Sequence, residues 1–246
     1  MSKPQSNQAA LTNNQKYHTK VISRDHIDYD RSWALMRRLV PKKRGNDLDD
    51  ILILTESEPV FTLGRRAEET DILVPQTLLQ AKGILVRKVE RGGLITYHGP
   101  GQLLAYPVFN VNRMGLSPSR LVHGLESAII SVLSDFGIDS ERIKGRPGVW
   151  IGQDQKIASI GVAVRRGVSF HGLALNVEPD LTHFDLINPC GFTGIRMTSM
   201  AQILGKSVNG PEVRECMQGH LEKLFDLETE PWTLEQAEDW AGTEEL

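Results

Sequence analysis

Cysteine is scarce: the 246 residues hold only Cys190 and Cys216. Two thiols cannot build a disulfide framework, which excludes the small stapled folds and favours a reducing compartment. No apolar run approaches the roughly 20 residues of a membrane span, so no membrane role is expected and the expected location is cytoplasmic. The opening MSKPQSNQAALTNNQK lacks the apolar core of a signal peptide and the arginines of a transit peptide. It reads as a flexible polar tail over residues 1–18. C-x-x-C and H-x-x-x-H spacings are missing, and His98, His123 and His171 are scattered, which points away from a metal enzyme. Phosphate-binding loops fail as well. Gly205-Lys206-Ser207 imitates the end of a P-loop, but Met200 stands where its first glycine belongs. Gly99-Pro100-Gly101-Gln102-Leu103-Leu104 lacks the last glycine of a dinucleotide fingerprint.

One absence is regional. Residues 226–246 carry eight acids and no Lys or Arg. The remaining 225 residues hold all 28 basic residues against 23 acids, a balance of +5. A basic body suits an acidic partner, although ordinary scatter gives the same number. The acidic end reads as a solvated tail, with Trp232 and Trp240 able to dock locally.

What is present reads as one domain over residues 19–225. Trp33, Met36, Leu39 and Val40 recur at helical spacing, predicting a helix from about Tyr29 to Arg44, with Pro41 disturbing its last turn. Short apolar runs predict strands at Ile51–Thr55, Val60–Leu63, Ile84–Val89 and Gln102–Val111. Ser117 and Pro118 are a helix start, Gly137 a stop, and Leu121, Leu125, Ile129, Val132 and Phe136 form one apolar face between them. Strands follow at Val149–Ile151, Lys156–Arg165 and Val168–Val177, the last two as a hairpin. A final helix covers Pro211–Phe225. Strands and helices mix without strict alternation, so the class is α+β, a mixed sheet flanked by helices.

Three segments could carry chemistry. Arg91 to Gln102 packs four glycines and several polar tips into twelve residues. It is either a turn between strands or a backbone built for close approach to a ligand. Cys190 stands in an Asn-Pro-Cys-Gly turn, as an accessible nucleophile or a small buried hydrophobe. Lys156 enters an apolar strand. It is an exposed strand end, or, if its head is desolvated in a cleft, a base. His171 interrupts an apolar strand and reads as a core histidine unless that strand lines a site. Cys216, on the apolar face of the last helix, reads as packing.

Taken together, these segments resemble the octanoyltransferase family, also called lipoyl(octanoyl) transferase or lipoate-protein ligase B. The resemblance runs from Glu58-Pro59-Val60-Phe61-Thr62-Leu63-Gly64-Arg65-Arg66 through Arg91 to Gln102 and Tyr106-Pro107. It resumes at Gly148-Val149-Trp150, Lys156 to Gly161, Ser169 to Val177, and Ile187-Asn188-Pro189-Cys190-Gly191. It covers roughly residues 50–205, with no departure at a position the family uses for chemistry. The resemblance implies a fold like that of biotin and lipoate protein ligases. It implies Cys190 as an acyl-thioester nucleophile and Lys156 as its partner. It implies an acyl-substrate site lined by Arg91, Gly92, Gly93, Leu94, Ile95, Thr96, Tyr97 and His98, by Ser159, Ile160 and Gly161, and by Gly172, Leu173 and Ala174. The implied donor is octanoyl-acyl carrier protein. The implied acceptor is a lysine of lipoyl domains, in 2-oxoacid dehydrogenase E2 subunits and the glycine-cleavage H protein. No ATP, metal or nucleic acid is expected to take part.

A thioester donor explains the residue types. Transfer onto a cysteine exchanges one thioester for another, and the later step to an amide runs downhill, so no ATP is required. Leu94, Leu103, Ile160 and Leu173 are apolar candidates for the chain pocket. An ATP-dependent lipoate or biotin ligase is the alternative on the same fold; it would need an adenylate site and no cysteine. A carrier-protein binder without activity is a further alternative, and a cysteine hydrolase lacks its Cys–His–Asn pattern.

Overall fold

The computed structural model describes residues 16–43, 49–188 and 194–242. Its strands and helices follow in the order β1 Tyr17–His26, α1 Tyr29–Lys42, β2 Asp50–Glu56, β3 Val60–Leu63, α2 Gln76–Ala81, β4 Leu85–Lys88, β5 Ile95–His98, β6 Gln102–Val108 and α3 Pro118–Asp135. Then come β7 Glu141–Ile143, β8 Arg146–Ile151, β9 Gln155–Arg165, β10 Val168–Asn176, β11 Arg196–Met197, α4 Met200–Leu204, α5 Gly210–Phe225, β12 Leu227–Pro231 and α6 Leu234–Ala241. The class is α+β, as expected. Among the described residues no helix is long and apolar enough to cross a membrane.

One large mixed sheet runs β12-β1-β2-β6-β10-β9-β8-β7, with β11 added alongside β9. A small sheet, β4-β3-β5, stands apart from it. The large sheet is covered on both faces, which is why its central strands read as continuous apolar runs. Side chains alternate between faces. In β2, Leu52 and Leu54 join the cluster under α3 and α5, while Ile51 and Ile53 join the cluster under α1 and α6. Ser117 caps α3 by accepting from the Arg120 amide at 3.2 Å. Gly124 inside α3 lets α5 close in: a Cβ there would stand 2.5 Å from the Phe225 ring.

Two expectations change. The polar tail was expected through residue 18, yet β1 already begins at Tyr17; the rest of that expectation, residues 1–15, lies outside the described residues. Residues 226–242 are not a solvated end. β12 pairs in parallel with β1, with Tyr17 opposite Leu227 and Val21 opposite Pro231. Leu234, Ala237 and Ala241 of α6 are buried in the core beside α1. The local acid content masked this, because the partners of those acids lie far away in sequence. Arg31 donates to both Glu238 carboxylate oxygens at 2.7 Å. Arg24 reaches Glu235 at 2.8 Å, and Lys20 pairs with Glu230. Much of the charge asymmetry is therefore internal pairing. Trp232 and Trp240 do meet, at 6.3 Å between ring centroids.

Removing residues 226–246 should therefore destabilise the chain rather than relieve it. Leu234→Ala should cost about 2–4 kcal/mol. Glu238→Gln, breaking a largely exposed pair, should cost about 1 kcal/mol or less. Equilibrium urea unfolding checks the ranking, and an unchanged midpoint for Leu234→Ala would contradict it.

Candidate functional site

A cavity of about 270 Å³ opens between the β9–β10 ladder and the glycine-rich segment leading into β5. Four rungs form its floor: Ser159 opposite Ala174, Ile160 opposite Leu173, Gly161 opposite Gly172, and Val162 opposite His171. Lys156 stands three residues before the first rung and also lines the cavity.

The segment above the floor is held by Arg91. Its side chain is buried. Its guanidinium donates to the Gly92 and Leu94 carbonyls at 3.0 and 2.8 Å, and to the Thr62 hydroxyl at 2.8 Å. Burial lowers its pKa to about 10, so it remains cationic at neutral pH. The Gly92 amide then donates to the Val162 carbonyl at 3.0 Å, tying the segment to β9. Glycine is required where these parts cross. A Cβ at Gly64 would lie 2.6 Å from the Gly93 carbonyl oxygen, and one at Gly161 would lie 2.9 Å from Arg91 Cδ.

Lys156 is aimed by its neighbours. Its ammonium lies 5.3 Å from the Trp150 ring centroid, a cation–π contact. Trp150 is itself held by Nε1 donating to the Arg146 carbonyl at 3.1 Å. The β8–β9 ladder is irregular at this point, Val149 pairing with Ala158 but Trp150 with Lys156, and such irregularities re-aim side chains. Gly148 has φ +116, and a Cβ there would meet Lys156 Cε at 2.6 Å and the Ala158 carbonyl oxygen at 2.4 Å. Glu126 of α3 fixes the turn by accepting from the Gly148 amide at 3.1 Å.

A buried polar chain crosses beside the cavity. Asn176 Nδ2 donates to the Thr198 carbonyl at 2.9 Å, and Gln102 Nε2 donates to Asn176 Oδ1 at 2.9 Å. Gln102 Oε1 therefore faces His98 Nδ1, 3.2 Å away, so that nitrogen carries the proton. Burial first, then the charge of Arg91, pushes the His98 pKa down to about 3. His98 is thus neutral, and its ring stacks on Tyr29 with 5.9 Å between centroids. Thr198 closes the chain by donating its amide to the Lys156 carbonyl at 3.0 Å.

Of the expected substrate-site residues, all but Tyr97 line this cavity. Tyr97 lies on the far side of β5. It packs on Phe61, His183 and Phe184, with centroids 6.0, 4.9 and 5.4 Å away. Strand alternation is the reason: Thr96 and His98 share one face and Tyr97 takes the other. Leu103 likewise sits in the main core, not in the cavity. Cys190 lies outside the described residues. Both flanks of its segment are anchored. Ile187 bridges Ile72, and the Asn188 amide donates to the Asp71 carbonyl at 2.8 Å. Beyond it, Met197 pairs with Lys156 itself, and Met197 packs against the cluster that holds Phe184 and Ile187.

Sequence reading missed several lining residues, among them Tyr29, Tyr106, Arg146, Trp150 and His171. His171 had left a signal, as a polar break in an apolar strand. Its φ of +56 is rare for a residue with a side chain. Neighbouring side chains normally leave a strand on opposite faces, yet the His171 and Phe170 rings are 5.0 Å apart. The distortion sets His171 Nε2 3.4 Å from Glu90, whose pKa is held down at about 2, mainly by that hydrogen bond. Burial keeps the imidazole neutral by lowering its own pKa.

Comparison with known proteins gives the family and the fold. The family model described as the lipoyl protein ligase A/B catalytic domain matches residues 28–222. The chain is 43% identical over 212 residues to an octanoyltransferase of Syntrophobacter fumaroxidans, covering 86% of this chain and 92% of that one. Among solved structures, a bi-partite lipoate protein ligase from Thermoplasma acidophilum superimposes with a TM-score of 0.69 at 17% identity, covering 92% of this chain and 90% of that one. A biotin protein ligase from Aquifex aeolicus gives 0.54 at 14% identity, covering 84% and 70%. The fold is thus that of biotin and lipoate protein ligases.

Two outcomes follow from the geometry. Gly148→Ala should cost about 1–3 kcal/mol and alter the near-ultraviolet dichroism of Trp150 as Lys156 is displaced. Gly152→Ala, also at positive φ but with open space around it, should cost less and leave that signal intact. The second outcome concerns acid. The unfolded chain protonates His98 below its ordinary pKa of 6.5, whereas the folded chain refuses the proton until about 3. Stability should therefore fall as pH drops through that window, by at most about 1.4 kcal/mol per unit from this group. His98→Gln should flatten the slope measured by urea unfolding.

Proposed function

Because the chain belongs to the lipoyl protein ligase A/B catalytic-domain family, we propose that it is an octanoyltransferase working through a cysteine thioester. It takes an octanoyl group from octanoyl-acyl carrier protein onto Cys190, then passes it to a specific lysine of a lipoyl domain. That is the first step of making the lipoate cofactor in place. The observation that supports the reading is the cavity with Lys156 at one end of its floor, where Met197, seven residues after Cys190 in the chain, pairs with Lys156 itself.

The chemistry requires a proton carrier and an apolar slot. Lys156, as a neutral amine, takes the Cys190 thiol proton; the thiolate attacks the donor thioester, and the proton goes to the departing thiol. In the second half, Lys156 removes a proton from the incoming lysine amine, which attacks the Cys190 thioester and releases the thiolate. Leu94, Ile160, Val162, Leu173 and Ala174 supply apolar wall. Burying about seven methylene and methyl groups at about 0.8 kcal/mol each contributes on the order of 5 kcal/mol. Arg66 and Arg146, which line the cavity, suit the acidic surface of a carrier protein. The lipoyl-domain acceptors are those of 2-oxoacid dehydrogenase E2 subunits and the glycine-cleavage H protein. Neither ATP nor a metal enters the reaction.

Mixing the protein with octanoyl-acyl carrier protein should raise its intact mass by one octanoyl group, in an adduct that hydroxylamine removes. Cys190→Ala should abolish the adduct and Cys216→Ala should keep it. Lys156→Arg should form it far more slowly, since guanidinium holds its proton at neutral pH. Free octanoate with ATP should give no transfer. An adduct that persists in Cys190→Ala, or transfer that depends on ATP, would overturn the reading.

A further inference from the structure

Well apart from the cavity lining, α3 and α5 bring three ligand-type side chains together. Asp135 is the last residue of α3. Cys216 and His220 stand four residues apart on α5, so they leave the helix on one face. Asp135 Oδ2 accepts from His220 Nε2 at 2.7 Å and from Cys216 Sγ at 3.3 Å. The three ligand atoms all lie within 4.8 Å of one another. The spacing is set by a rigid support. Val132 of α3 and Val213, Met217 and Leu221 of α5 share one buried cluster.

We propose that Asp135, Cys216 and His220 form a binding site for a divalent cation of the zinc class, joining the end of α3 to α5. The donor set selects the ion. A thiolate with an imidazole suits zinc or cobalt and disfavours calcium and magnesium, which prefer all-oxygen shells. Zinc bonds of about 2.0 Å to nitrogen and oxygen and about 2.3 Å to sulfur place tetrahedral ligand atoms roughly 3.3–3.6 Å apart. The hydrogen-bonded triad is close to that spacing, and side-chain adjustments of about an ångström complete it. Asp135 and His220 are accessible from solvent, so the ion has a way in and a fourth position for water.

The exchange balances simply. Cys216 gives up its thiol proton, and His220 carries its N–H on Nδ1 while Nε2 takes the ion. Asp135 is already a carboxylate. One proton leaves per ion bound. Glu212 and Lys223 also face the thiol, with opposite charges. An ion held across two helices stabilises the native chain by mass action.

Cobalt titration of the full-length Cys190→Ala protein, in which Cys216 is the only thiol, tests the site. A thiolate-to-cobalt charge-transfer band and visible bands of tetrahedral strength should saturate at one ion per chain, and zinc should displace them. Cys216→Ser in that background should remove the charge-transfer band. Asp135→Asn should weaken cobalt binding by about tenfold or more. Calorimetric zinc titration of the otherwise wild-type chain should show one site that His220→Ala loses. A missing charge-transfer band, a band that survives Cys216→Ser, or a zinc site that survives His220→Ala would overturn the assignment.

Discussion

A guanidinium buried without a carboxylate must be satisfied by carbonyls and hydroxyls, or it could not remain charged. Arg91 is such a group: among the described residues its hydrogen bonds go to Thr62, Gly92 and Leu94. The loop around it must therefore turn its carbonyls inward, toward the cation. That need explains the glycines. Gly64 and Gly161 are the points where backbone passes so close to Arg91 that a Cβ would collide. The cavity roof is in this sense a shell folded around one charge, and its attachment to β9 through Gly92 gives the cavity its height.

The same strand carries the other half of the site. β9 lines the cavity from Ser159 to Val162 and gives its first residues to β11. Lys156 sits where these two uses meet. Trp150 beneath its ammonium, Gly148 beside its stem and Glu126 behind the turn all restrict where that ammonium can go. The polar chain from His98 through Gln102, Asn176 and Thr198 ends on the Lys156 carbonyl. Roof, floor and the segment after Cys190 are thus fixed relative to one another by buried hydrogen bonds. Such bonds are costly to break, because a lost partner leaves a desolvated polar group.

Legibility divided along physical lines. Strands and helices with a strong local period were readable: α3, with its Ser117 cap and Gly137 stop, and the β9–β10 hairpin match their expected ranges closely. Elements whose stability comes from a distant partner were not. β1 and β12 are polar strands that pair with each other across more than 200 residues, and α6 is an acidic helix docked on α1. The expectation of a free acidic tail failed because charge density is local while charge pairing is not. For the site, the glycine-rich segment and the two short runs on β9 and β10 stood out by composition and by resemblance. Tyr97 falls outside the cavity because neighbouring residues of a contiguous motif take opposite faces of a strand.

By itself the sequence determined what each local stretch of chain can do: where it turns, where it buries a face, and which residues have the chemistry of a nucleophile, a base or a close-approach backbone. Tertiary structure alone decided which of these meet. Lys156 becomes a cavity residue only through an irregular ladder beside a glycine at positive φ. His171 turns toward Glu90 only through a strained backbone that the surrounding sheet supports. Asp135, Cys216 and His220 share a corner only through the packing of α3 on α5. The reason is common to all three. Propensity and periodicity act over a few residues, whereas collisions, desolvation and charge pairing depend on whatever packing brings within a few ångströms.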